Sequence, residues 1–315
     1  MDELTWRPAT LADVPALTRL QNLLLEHDGF TDRPEEQNVR DELSLAGWDI
    51  TRNTLLAQTA DGELAGAGLL YLPPAGGQFL HSTGGVAPQW RGRGIGRRLV
   101  SWYGERAAEA HRAAAPNQSW ELHLGAVDSD ESSARLYARM DLKPVRYWFE
   151  MERPVADPVP EVPVADGLRL VPYAPSYDRA LHTAHTEAFR DHWGSQPRPF
   201  DEWYSYAIGG AAFRPQQTFL AVEAGGAVGG YLLSFAMGGT DRMWMGTIGV
   251  RRPWRRQGVA SALMARALQA YREAGVVTAA LDVDSANPSG AVGVYERMGF
   301  RSVMRTVTYA KTIGG

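Results

Sequence analysis

Apolar and polar positions along this chain fall into two series of the same order. The first opens with a strand-like run over residues 4–8. It continues with a helix over 13–27, which carries Leu17, Leu20 and Leu24 on one face. A second helix is predicted over 34–45. Two strand-like runs, 54–59 and 63–72, flank Ala60-Asp61-Gly62, a hairpin signal. A fourth strand over 78–86 leads into a glycine-rich turn and an amphipathic helix from about 94 to 112. A fifth strand (120–127), a short helix around Ala134, Leu136 and Tyr137, and a closing strand (144–152) complete the series.

Residues 154–167 read PVADPVPEVPVADG, and four prolines there favour extended polyproline conformation, so a semi-rigid linker is expected. The series then starts again. A strand over 168–172 and a helix over 178–189 precede strands 218–223 and 227–235, which pair across Ala224-Gly225-Gly226. A strand over 243–250 enters a second glycine turn and a helix reaching about 274. Strand 276–284, helix 289–298 and strand 301–310 follow. The expected domains are 1–153 and 168–315. Helices interleaved with hairpin-linked strands and one helical crossover indicate an α/β fold, each domain a mixed, mostly antiparallel sheet with flanking helices.

The turns carry the chemistry. Residues 84–99 read GGVAPQWRGRGIGRRL and residues 248–263 read IGVRRPWRRQGVASAL; Val86, Trp90, Arg91, Gly94 and Leu99 recur 164 positions later with no gap (94 and 258, for instance). A glycine turn at a helix start presents unpaired amides and the positive end of the helix dipole, which suits phosphate. Flanking arginines offer forked donors for the same oxygens. Neither copy ends in the Gly-Lys-Ser/Thr of a P-loop, and Gly92, Gly94 and Gly96 are spaced by twos, unlike a dinucleotide fingerprint.

Arg91-x-x-Gly94-x-Gly96 and Arg255-x-x-Gly258-x-Ala260 resemble the acetyl-CoA-binding motif of the GNAT family of N-acetyltransferases. The duplication is similar to that family's tandem, mycothiol-synthase type. The resemblance implies that Arg91, Gly92, Arg93, Gly94, Ile95 and Gly96, and then Arg255, Arg256, Gln257, Gly258, Val259 and Ala260, hold the cofactor's phosphates. It also implies that Gly84, Gly85 and Val86, and Ile248, Gly249 and Val250, pair with the pantetheine arm and polarise the acetyl carbonyl. Tyr137 and Tyr295 match the family's general acid, which protonates the leaving thiolate. Around Tyr295, Asn287, Gly299 and Phe300 complete the family's segment; Asp141-Leu142 stands where Gly-Phe would be expected after Tyr137.

The family's fourth-strand carboxylate has no match. Only His81 titrates inside the first of these strands, and Asp241 lies at the start of the second. Residues 188–207 concentrate Asp191, His192, Trp193 and Trp203, a mixture suited to holding a cationic amine. These features favour the second half as the one that transfers acetyl.

Composition narrows the partners. At 315 residues, two domains are expected. A net charge of −4 with locally clustered arginines excludes a general nucleic-acid or anionic-membrane binder and fits a small phosphorylated ligand. With no cysteine there is no disulfide, thiolate metal site or cysteine nucleophile, and no metal is expected. Residues 1–10 lack signal-peptide features and no apolar run spans a bilayer, so a cytoplasmic protein is expected. The expected activity is acetyl transfer from acetyl-CoA to a primary amine of a small molecule: an amino sugar or its conjugate, an amino acid or a polyamine. A non-catalytic acyl-CoA sensor is the alternative.

Overall fold

The computed structural model describes residues 4–236, 238, 241–286 and 290–314. Its elements in chain order begin β1 (Thr5–Arg7), α1 (Val14–His27), α2 (Glu36–Leu43), α3 (Ile50–Asn53), β2 (Thr54–Gln58), β3 (Leu64–Tyr71) and β4 (Phe79–Val86). They continue α4 (Ile95–Ala114), β5 (Trp120–Val127), α5 (Glu131–Arg139), β6 (Lys143–Pro154), β7 (Leu168–Pro172), α6 (Asp178–Ala188) and α7 (Phe200–Ala207). The last are β8 (Phe219–Glu223), β9 (Val228–Phe235), β10 (Arg242–Val250), α8 (Val259–Glu273), β11 (Thr278–Asp284), α9 (Ala291–Arg297) and β12 (Arg301–Ile313). The chain divides into two compact units, residues 1–147 with 306–315, and residues 148–305.

This division differs from the boundaries 1–153 and 168–315. The closing strands are exchanged. Residues 306–313 of β12 lie antiparallel to β5 in the first unit, and residues 148–154 of β6 lie antiparallel to β11 in the second. Both strands have the alternation that suits either place, so the pattern alone does not choose between them. The proline-rich segment has no regular secondary structure between turns at 155–156 and 166–167, and it belongs to the second unit. Val155 is buried, Val159, Val162 and Ala165 pack on that unit's core, and Arg272 Nη2 donates to the carbonyls of Val155 (2.9 Å) and Asp157 (2.8 Å).

In the first unit the sheet runs β1-β2-β3-β4-β5, with the β12 segment last. Leu17 and Leu20 of α1 pack on one face against Leu56, Leu64 and Leu69; Ile95, Leu99 and Tyr103 of α4 pack on the other against Leu70, Leu80 and Leu122. β3 is buried on both faces, which its apolar sequence LAGAGLLY permits. Each fully buried leucine contributes about 2 kcal/mol by removal from water. The second unit repeats the plan as β7-β8-β9-β10-β11 with the β6 segment. Leu181 and Trp203 of α6 and α7 cover one face; Val259, Leu263, Leu268 and Tyr271 of α8 cover the other.

Candidate active-site clefts

Each unit opens between its two parallel strands. β4 and β5 pair only at Phe79–His81 with Glu121–His123, and the Ser82 hydroxyl donates to the His123 carbonyl (3.1 Å) where the strands part. β4 continues along β3 to Val86, and β5 keeps its pairing with β12 along its whole length, Trp120 to Val127. β10 and β11 part in the same way after Arg242–Trp244 and Thr278–Ala280. The backbone of Thr83–Val86 and of Thr247–Val250 is thereby released from the parallel neighbour, leaving a slot that an extended ligand can enter as an added strand.

Both glycine turns adopt one backbone conformation. Gly94 and Gly258 are the left-handed caps of α4 and α8 (φ 85° and 78°), and no side chain caps either helix. Gly92 (φ 78°) corresponds to Arg256 (φ 61°), so the second loop holds an arginine where the first has the residue that bears this conformation without strain. A Cβ on Gly94 would meet nothing within 4 Å: the space above the α4 amides is open, as a phosphate requires. Gly84 answers to a different demand. At φ 116° its Cβ would overlap the Ala67 carbonyl of β3.

In the first unit the slot is a cavity of about 620 Å³, bounded by Thr83, Gly85, Arg91, Gly94, Arg97 and Tyr137 among others. The Tyr137 hydroxyl donates to the Gly125 carbonyl on β5 at 3.2 Å. Burial pushes its pKa well above 10, and that of Tyr295 to about 12. Both phenols therefore hold their protons at neutral pH. Passing one to a thiolate that would otherwise titrate near 8.5 is uphill by about 5 kcal/mol from pKa about 12, unless the same dry slot raises the thiol too. Tyr295 packs against the second unit's core and against the Phe300 ring.

The arginines behave differently from expectation. Arg91 Nε donates to the Val86 carbonyl (3.3 Å), and its guanidinium also meets His27 Nε2 (2.9 Å) and Asp28 (3.6 Å). Arg255 repeats this with the carbonyls of Val250 (3.1 Å) and Ala188 (2.9 Å). These side chains tie the strand ends to the C-terminal ends of α1 and α6, and Arg91 also lines the cavity. Arg251 pairs with Glu187 (2.7 Å), Arg252 with Asp191 (2.5 Å), and Gln257 donates to the Pro253 carbonyl (2.8 Å). Arg93 lies over the Trp90 ring (4.5 Å). Arg97, absent from the expected set, lines the cavity.

The expected acceptor residues separate. Trp203, 2% exposed, is a core residue packed among Leu181, Leu220 and Val222, because α7 turns its apolar face to the sheet. It offers no surface to an acceptor. The Asp191 carboxylate is taken by Arg252, whose hydrogen bond lowers its pKa. His192 and Trp193 lie against Trp148 of β6 (6.4 and 6.0 Å between rings), a neighbour that the strand exchange supplies and the primary order hides. His81 is exposed on β4 with its ring 5.3 Å from that of buried His123, and the cavity lining begins one residue later, at Ser82. Asp241 serves by its carbonyl, which accepts from Val277 and Thr278. Asn287 lies outside the described residues. Asp28 lines the first cavity; it stands in HDGFTDRPEE, residues 27–36, the acidic first-half counterpart of the expected acceptor segment.

Two parallel strands that part beside a capless, left-handed glycine turn define a duplicated acyl-CoA-dependent transferase fold. The profile of the "Acetyltransferase (GNAT) family" matches residues 179–300. The mycothiol acetyltransferase of Salinispora tropica is 30% identical, over 95% of this chain and 92% of its own. A GCN5-related N-acetyltransferase from Sphaerobacter thermophilus superposes with a TM-score of 0.79 at 28% identity, over 100% and 97% of the two chains. A tandem GNAT protein from the clavulanic acid biosynthesis pathway shares the fold at TM-score 0.72 and 20% identity, over 99% of each chain. The chain belongs to the GNAT acetyltransferase family and is an N-acetyltransferase that uses an acyl-CoA. No described helix is long and apolar enough to cross a membrane.

Proposed function

We propose that the protein transfers the acetyl group of acetyl-CoA to a primary amine of a small molecule. The observation that carries this is the strand opening headed by a left-handed glycine cap, present in both units. The backbone of Gly84, Gly85 and Val86, and of Ile248, Gly249 and Val250, runs beside the pantetheine arm. Its amides face the carbonyl oxygen where charge develops. The amine, having lost its ammonium proton to solvent or a bound water, attacks the thioester carbon. The C–S bond breaks, the thiolate takes the phenol proton of Tyr137 or Tyr295, and the proton that the attacking nitrogen sheds as the amide forms returns to the phenolate through water. No acyl-enzyme forms.

The name of the Salinispora tropica relative, similar over nearly the whole chain, favours a mycothiol-type amino-sugar conjugate as acceptor. The place of action is the cytoplasm, where a free CoA thiol stays reduced. A sensor that binds acyl-CoA without turnover is the second reading, favoured by strands β4 and β10 that hold no carboxylate. Thioester consumption with amino sugars, amino acids and polyamines decides between them: turnover of an amine is expected, and tight binding of acetyl-CoA without turnover of any would establish the sensor.

A further inference from the structure

Behind the second glycine strand lies a buried relay that the reaction above does not use. Gly249 has no room for a side chain because the Tyr231 ring fills the space: a Cβ there would lie 2.5 Å from the ring and 2.6 Å from its hydroxyl oxygen. Tyr231 is wholly buried, and its hydroxyl lies 2.7 Å from Nδ1 of His185 on α6. Among the described residues that nitrogen is the hydroxyl's one acceptor, and a buried O–H left unshared is costly, so Tyr231 donates and Nδ1 accepts. His185 is thereby fixed as the neutral tautomer with its proton on Nε2. Burial, and then the neighbouring His182, hold its pKa down to about 4.

The imidazole is half-buried and stacked on Phe189 (4.9 Å between rings), and no other described group takes a hydrogen bond from it. It lies on the face of the sheet opposite α8, away from the glycine turn and beside the segment that enters 188–207. The first unit lacks this relay. There Gly85 meets Leu24, and the position 164 residues before Tyr231 is Ala67.

We propose that His185, oriented by Tyr231, donates its Nε2–H to an oxygen carried by the acceptor in the second cleft. This selects amines bearing a hydroxyl or carbonyl over bare alkyl amines. It rests on the reading of this cleft as an acetyl-transfer site. A neutral donor rewards an oxygen and offers an ammonium nothing, so the device separates amino sugars and amino acids from polyamines by chemistry rather than size.

The test uses the full chain, acetyl-CoA, and glucosamine and putrescine as acceptors. Wild type should prefer glucosamine. His185→Leu should lower kcat/KM for glucosamine about 10- to 100-fold and for putrescine by less than about threefold. His185→Gln, which restores an N–H at similar reach, should recover most of the loss, and Tyr231→Phe should fall between. Equal losses on both amines in His185→Leu, or none, would overturn the proposal. Nitrogen-15 spectra of histidine-labelled protein give a second reading: the His185 ring should carry its proton on Nε2 and stay neutral down to about pH 5. A ring protonated on Nδ1 refutes it. If acetyl-CoA binds but neither amine is acetylated, the transferase reading fails. The spectrum then still decides, since glucosamine added with CoA must move the Nε2 signal, and an unmoved signal refutes the donor.

Discussion

Asp141 and Gly299 hold the same left-handed backbone conformation, φ 62° and 87°, just past the two helices that carry Tyr137 and Tyr295. In each case the next amide returns to the tyrosine carbonyl: Leu142 to Tyr137 and Phe300 to Tyr295, both at 3.0 Å. Leu142 and Phe300 are both buried. The first half therefore keeps the helix stop although Asp-Leu replaces Gly-Phe there, since aspartate tolerates this conformation better than most residues. Asp141-Leu142 no longer counts toward the second half as the one that transfers acetyl.

Relief of that conformation is measurable. Asp141→Gly should raise unfolding stability by about 0.5–1 kcal/mol, with acyl-CoA affinity unchanged. Urea denaturation checks it. A fall in stability would mean that the Asp141 contact with Lys311 (3.8 Å) outweighs the strain.

The two caps allow strain and charge to be separated at the phosphate loops. Gly94→Asn and Gly258→Asn should bind acetyl-CoA within about tenfold of wild type, because asparagine accepts a positive φ. Gly94→Asp and Gly258→Asp should each remove one site by facing phosphate with a carboxylate. Titration calorimetry should then report a wild-type stoichiometry near two and near one for either aspartate variant. A wild-type value of zero would remove the loops from cofactor binding.

The tyrosines report which unit turns over. Sequence favours the second, and in the first Tyr137 lines a cavity of about 620 Å³. Tyr295→Phe is expected to lower kcat about 10²-fold on a reactive amine with cofactor affinity retained, and Tyr137→Phe to change it less than about threefold. The opposite pattern assigns the reaction to the first unit, and halving by each makes the units independent.

His185 also leaves a trace in stability. Its folded pKa, about 4, lies below the unfolded value near 6.5, so the unfolded chain binds the proton first as pH falls. The stability it contributes is complete above about pH 6.5 and is lost progressively toward pH 4. Between pH 7 and 5 wild type should lose about 2 kcal/mol more than His185→Gln in denaturant melts. Equal losses would show that the ring is charged in the folded state.

What the sequence determined by itself is local. Glycine at 94 and 258 dictates a left-handed cap, Ala60-Asp61-Gly62 and Ala224-Gly225-Gly226 close hairpins, and leucines at helical spacing bury α1. Each is decided within a few residues by backbone sterics or side-chain period. The repeat at 164 residues then made the duplicated fold and its cofactor legible. Tertiary structure decided the rest. Strand β6 reads the same whether it pairs with β5 or with β11, because alternation specifies a face and not a neighbour. Arg91 and Arg255 look like phosphate ligands in the sequence, and the fold also gives them the carbonyls of Val86 and Ala188 and the carboxylate of Asp28. Trp203 looks like a cation's partner until α7 turns it into the core, and Tyr231 meets His185 across 46 residues of chain. Such contacts depend on which surfaces packing brings together, and a hydrogen-bonding side chain takes the partner nearest in space.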